Sequence, residues 1–232
     1  MLDGDLTPAE YRAEEARYLE YRGLRSAQSD GPANSDVAEA DTTAAVMASV
    51  SGRTLPLTHY PQNTNYYCGP ATGKMLVKIT DGSIASRHNG VSFTQGHFAG
   101  NAHMETDARG ATNWSTGLFV RGVNRWRGQN WYVQVDAPSA SLMMSVLTQS
   151  IGNNGMPVAA DTVEWANGAH YNGHPVGSTI GHWILAYGYG NLGGTVQFAD
   201  PSTSVWGAAG PTFSASTSTF TNTFLQTNGI AY

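Results

Sequence analysis

The stretch from Gln62 to Met75, QNTNYYCGPATGKM, holds the chain's single cysteine, Cys68, and its reading decides the fold. Gly69 and Pro70 follow the cysteine directly, and apolar residues at Ala71, Met75, Leu76 and Ile79 have the spacing of a helix with one buried face. Proline suits the first turn of a helix, where its missing N–H has no intrahelical partner, so Cys68 is placed at or just before a helix N-terminus. Unpaired amides and the positive end of the helix dipole would face the sulfur there, and both lower the pKa of a thiol that ordinarily ionises near about 8.5. The polar flanks Asn63, Thr64 and Asn65 predict an exposed loop-to-helix junction. The upstream Gln62 carries a side-chain amide able to return beside the sulfur and donate to the oxyanion of an acyl transfer. The plain alternative is a buried, inert cysteine, a common fate for this residue type.

A nucleophilic thiol needs a base. Gly181 to Tyr187 (GHWILAY) and Thr195 to Ala199 (TVQFA) have the pattern of paired strands, joined as a hairpin through Gly188 to Gly194. His182 opens the first strand and Asp200-Pro201 closes the second. In such a hairpin the two side chains face one side at neighbouring positions, so the carboxylate can orient the imidazole while the other ring nitrogen reaches toward Cys68. No other histidine is expected to have this setting. His170 and His174, with Asp161 and Glu164 nearby, raise the possibility of a metal site, but Tyr171-Asn172-Gly173 between them disfavours a helix and His-Glu-x-x-His is absent. No metal and no cofactor are expected. His88, His97 and His103 lie in polar stretches and are expected to face water, whereas Trp114, Trp126, Trp131 and Trp165 are expected in the core. Gly-x-Ser-x-Gly, the signature of a serine hydrolase, does not occur.

Other elements follow from caps and periodicity. Thr7-Pro8-Ala9-Glu10 is a capping box opening a charged, solvated helix to about Ser26, and the Ser, Asp and Ala-rich run from Ala27 to Ser51 reads as a linker or strap. Short strands are predicted over Arg53 to Tyr60, Asn130 to Val135 and Pro157 to Val163. Helices are predicted over Thr116 to Trp126, from the serine cap after Pro138 to Asn153, and over Ser216 to Gln226. Helix first and antiparallel strands later gives the α+β class.

Charge is divided unevenly. Residues 1–56 hold ten acidic and five basic side chains, and residues 57–232 hold seven of each, so the body has no basic face for nucleic acid. No apolar run is long enough for a transmembrane helix, and one cysteine excludes an internal disulfide. With 27 glycines and only Lys74 and Lys78 as lysines, the body has the composition of an exported protein, and a secreted location, with a leader missing before Met1, is the expectation.

QNTNYYCGPATGKM, GMPVAADT, GHWILAYGYG and FADPS together resemble the C39-like peptidases, a branch of the papain-like cysteine proteases. The resemblance covers about residues 55–232 and implies a papain-like fold, with the cysteine-bearing helix packed on an antiparallel sheet and residues 1–54 as a helical extension. It also implies roles: Gln62 builds the oxyanion hole, Cys68 attacks, His182 is base then acid, and Asp200 orients it. Leader cleavage, which the namesake transporters perform, is not carried over, because the chain has no membrane helices and no phosphate-binding loop. The substrate implied is a peptide or protein, cleaved by a monomer. An acyltransferase on the same residues, or a binding module that keeps the fold, stays open, and the extension reads equally as a pro-segment or as an ordinary appendage.

Overall fold

In the computed structural model, whose described residues are 51–232, Cys68 is the first residue of helix α1 (Cys68–Asp81). Pro70 lies in its first turn and Gly82, at φ 75°, ends it. Ala71, Thr72, Met75 and Leu76 are completely buried, as the apolar spacing requires. The capping box at Thr7 and the strap that follows lie outside the described residues.

The elements after α1 are α2 (Gln95–Ala99), α3 (Thr106–Arg109), α4 (Leu118–Arg127), β2 (Gln134–Asp136) and α5 (Ala140–Val146). A π-helical turn (Leu147–Asn153) extends α5, and β3 (Val158–Glu164), β4 (Ile180–Gly190), β5 (Thr195–Ala199), β6 (Thr212–Ser216), α6 (Thr217–Phe224) and β7 (Gly229–Ala231) follow. Among the described residues the strands form one seven-stranded antiparallel sheet of order β2-β7-β3-β4-β5-β6, with β1 (Arg53–Thr54) on β4. This is the α+β architecture that the residues predict: a cysteine-bearing helix packed on an antiparallel sheet. No helix of the described residues is long and apolar enough to cross a membrane.

Alternation along the strands divides the core between the two faces of the sheet. Val158 and Ala160 of β3 and Ile184 and Ala186 of β4 pack with Leu147, Ile151, Phe220 and Phe224, while Ala159, Trp183 and Leu185 pack with Met75, Leu76 and Phe119. The Trp183 indole stacks on Phe119 with ring centroids 3.9 Å apart. Helix caps sit where the sequence places them: Ser139 accepts from the Leu142 N–H and Ser216 from the Thr219 N–H.

Several expectations are corrected. The strands expected over Arg53 to Tyr60 and Asn130 to Val135 shrink to β1 and β2, with Leu55 and Val133 still bonded to Tyr187 and Tyr232 beside them. Trp165 is 58 % exposed, projecting from the loop after β3, whereas His103 is completely buried, tilted against Trp126 and hydrogen-bonded to Ser86 Oγ at 2.8 Å.

Pairing of β4 with β5 stops at Leu185 opposite Ala199, so β4 runs on toward Ile180 with one edge uncovered by that strand. The first turn of α1 docks there: Thr72 Oγ1 donates to the Trp183 carbonyl at 2.9 Å. The loop bearing Thr112 seals the other side, its carbonyl accepting from Trp183 Nε1 at 2.7 Å. Gly69 makes this closeness possible, since a Cβ there would lie 2.3 Å from Thr112 Oγ1. Gly69→Ala is expected to push the loop off α1 and to lower stability by about 1–3 kcal/mol, an overpacking cost, read as a fall in urea midpoint. An unchanged midpoint would mean that the loop yields freely.

Candidate active site

The Cys68 sulfur lies against the open edge of β4, where the nearby backbone N–H groups of Trp183 and Gly69 act to lower the pKa of its thiol. The residue is 8 % exposed, which corrects the exposed junction expected from its polar flanks: Asn63 and Asn65 are exposed, but Cys68 is covered. Burial pushes its thiol up to about 12, over the opposing pull of those amides. The helix start predicted for Cys68 is therefore present, while the lowered pKa predicted with it is not.

The hairpin positions the candidate base. Continuing the pairing of Leu185 with Ala199 sets Asp200 opposite Ile184, so His182 is its diagonal neighbour on the same face. His182 Nε2 lies 2.9 Å from Asp200 Oδ1, and both side chains are fully buried. A carboxylate only accepts, so Nε2 carries the proton and Nδ1 is the basic nitrogen. That Nδ1 is buried with no hydrogen-bond partner, on the residue that precedes Trp183, whose N–H lies near the sulfur. Burial acts to raise the Asp200 carboxyl, but hydrogen bonds from His174, His182 and Asn172 overturn that effect and hold it well below the usual carboxylate range.

His182 is not the only histidine with such a setting. His174 Nε2 lies 3.0 Å from Asp200 Oδ2 and its Nδ1 lies 2.7 Å from Glu164 Oε1. His170 Nδ1 lies 3.1 Å from the other oxygen of Glu164. Nitrogens of His174 and His182 and an oxygen of Asp200 all fall within 4.8 Å of one another. Their separations of 2.9 and 3.0 Å are of hydrogen-bond length, which makes the three a hydrogen-bonded chain centred on Asp200. The i to i+4 spacing of His170 and His174 signals proximity; what they meet is set by Glu164 at the end of β3 and Asp200 after β5, which no local pattern displays.

Gln62 is 2 % exposed and joined to the turn after Asp200: its N–H donates to the Pro201 carbonyl at 2.8 Å and Ser204 Oγ donates to its carbonyl at 2.7 Å. Its side-chain nitrogen donates to the Thr64 carbonyl at 2.8 Å, and its Oε1 is buried without a partner. It is not among the residues that line the cleft beside Cys68.

That cleft, about 530 Å³, is lined by Cys68, Trp114, Asp161, Gly181, Trp183 and Asn228, among others. Asp161 was legible only as an acidic neighbour of the histidines; its place on β3, directly opposite Trp183, turns it to the sulfur side instead. Burial holds its carboxyl well above the ordinary range, against a hydrogen bond with Asn228.

Comparisons with known proteins give three results. A family model described as the Peptidase_C39 like family matches residues 54–232. Among solved structures, xylellain, a cysteine protease from Xylella fastidiosa, is similar at 11 % identity with a TM-score of 0.40, covering 87 % of this chain and 93 % of that one. No curated protein matches. With a match that spans the helix of Cys68, both strands of the hairpin and the remaining strands of the sheet, the chain belongs to the Peptidase_C39 like family.

Proposed function

We propose that the chain is a cysteine peptidase that cleaves peptide or amide bonds through Cys68, His182 and Asp200. One observation carries the reading. Asp200 fixes the proton of His182 on Nε2, which leaves a buried lone pair on Nδ1 beside the strand residue whose N–H lies near the Cys68 sulfur. A histidine serving only the core would have both nitrogens engaged.

The chemistry follows from the burial of the thiol. Cys68 rests as S–H, so proton transfer to His182 Nδ1 accompanies attack of sulfur on the substrate carbonyl. Asp200 stabilises the imidazolium so formed. The Cys68 N–H, at the start of α1, and the Gln62 side-chain amide are the donors assigned to the oxyanion, with Gln62 turning from Thr64 as substrate enters. His182 then protonates the leaving amine, the acyl group stays on sulfur, and water activated by the same imidazole releases it. An amine in place of water gives acyl transfer on the same residues.

Cys68→Ala is expected to abolish release of product from a fluorogenic peptide library, and Asp200→Asn to lower kcat by about three to four orders of magnitude by favouring the wrong tautomer of His182. Hydrolysis that survives Cys68→Ala would refute the nucleophile.

The resting thiol has its own signature. Its folded pKa of about 12 lies above the unfolded value, so its contribution to stability is complete below about pH 8.5 and is lost as pH rises toward 12. Within that window stability should fall by about 1.4 kcal/mol per pH unit more steeply in the wild type than in Cys68→Ala. Urea titrations at several alkaline pH values measure the difference, and parallel slopes would mean that the thiol ionises as it does in the unfolded chain.

A further inference from the structure

The hydrogen-bonded chain does not end at Asp200. Its Oδ1 takes His182 Nε2 at 2.9 Å and the Ser202 N–H at 2.8 Å; its Oδ2 takes His174 Nε2 at 3.0 Å and Asn172 Nδ2 at 2.7 Å. Beyond His174 stands Glu164, whose Oε1 is 2.7 Å from Nδ1 and whose Oε2 accepts from the Tyr171 N–H at 3.1 Å. The side chains of Glu164, His174, Asp200 and His182 are all fully buried.

The chemistry of the donors then fixes the charge of His174. Two carboxyl groups face its two nitrogens, and an ionised carboxylate only accepts, so with both of them ionised each nitrogen is N–H and the ring is an imidazolium. The Ser202 hydroxyl, 2.8 Å from Nε2, can accept as well.

We propose, resting on the peptidase reading above, that His174 is a positioning residue: as a buried imidazolium it ties Oδ2 of Asp200 to Glu164, so that Oδ1 is held against Nε2 of His182. Burial works against this charge, yet the bonds to Asp200 and Glu164 prevail and hold the ring protonated up to about pH 9. A neutral His174 has one proton for two carboxylates and must turn a lone pair toward one of them. The titratable groups around it are Glu164 from the end of β3, His182 from β4, Asp200 from the end of β5, and Tyr171 and His170 from its own loop.

Removing His174 removes the clamp on Asp200: Oδ2 keeps only the Asn172 amide, and the tie to Glu164 is lost.

The test is the rate of Cys68 alkylation by iodoacetamide between about pH 6 and pH 10, where the thiolate rather than the thiol reacts, in wild type, His182→Ala, His174→Gln and Glu164→Gln. The His182-dependent rate should fall about tenfold to a hundredfold in His174→Gln, the range for loss of an outer partner of a functional histidine. In wild type it should decline above about pH 9, as His174 loses its proton. Glu164→Gln should bring the decline to lower pH, because one of the two anions that hold the charge is gone. Folded variants with wild-type rates and an unmoved alkaline limit would overturn the proposal. A His182→Ala protein that alkylates like wild type would instead overturn the peptidase reading beneath it. If either variant fails to fold, 15N NMR of histidine-labelled wild type decides: two protonated nitrogens on His174 at neutral pH support the clamp, and a single one refutes it.

Discussion

The site depends on a strand that stops early. β5 ends its pairing at Ala199 while β4 continues to Ile180, leaving the main chain around Trp183 with one edge that no strand covers. Buried backbone polar groups must find partners, and the first turn of α1 supplies the Thr72 hydroxyl for the Trp183 carbonyl and sets the Cys68 sulfur near its N–H. Asp200 follows Ala199 directly, its N–H still bonded to the Pro211 carbonyl at 2.9 Å, and its side chain reaches His182. The start of α1 with Cys68 and the paired His182 and Asp200 thus both lie where β4 runs on beyond β5.

Burial raises the pKa of an acid, and it does so for the Cys68 thiol, but Asp200 moves the other way. The difference lies in the partners. Taking an isolated ion out of water costs several kcal/mol even after relaxation, and the amides around the sulfur are neutral dipoles that only moderate this cost. Asp200 has an imidazole on each oxygen, with Asn172 and the Ser202 N–H completing its shell, and its charge is more than compensated. Negative and positive groups alternate from Glu164 through His174 to Asp200, so a buried anion is always next to a cation or a hydrogen-bonded imidazole. The thiol has no such ionic partner, and in the proposed peptidase it would stay protonated until substrate is present.

The parts of this arrangement set by local chemistry were legible in the sequence. Pro70 in the first turn fixes the start of α1 at Cys68, and the Gly-His and Asp-Pro boundaries mark the strands whose register brings His182 and Asp200 together. What escaped was non-local. Thr212 to Ser216 carries no strong strand pattern and becomes β6 because β5 offers it an edge; Gly229 to Ala231 becomes β7 by fitting between β2 and β3. Polar flanks predicted an exposed Cys68, yet its cover comes from Trp183 and the cleft wall, far along the chain. His174 was visible as a histidine near acids, but its two partners come from different strands, so spacing could not distinguish a hydrogen-bonded chain from a ligand set.

The loop that delivers His174 shows how local turn chemistry and remote contacts divide the work. Asn172 and Gly173 lie in the left-handed region at φ 49° and 78°, a conformation that Asn and Gly adopt at little cost, and this reverses the chain just before His174. The reversal alone would leave a free loop. It is anchored because the Asn172 carbonyl accepts from the Ala209 N–H at 2.7 Å while its side-chain amide bridges Asp200 Oδ2 and the Gly210 carbonyl. Asn172 therefore fixes the turn through its backbone and the carboxylate through its side chain. An aspartate would tolerate the same backbone but would set a third anion beside Asp200 and Glu164, whereas glycine would keep the turn and lose the bridge. Asparagine meets both demands, and the His174 ring enters the buried cluster already aligned between its two carboxylates.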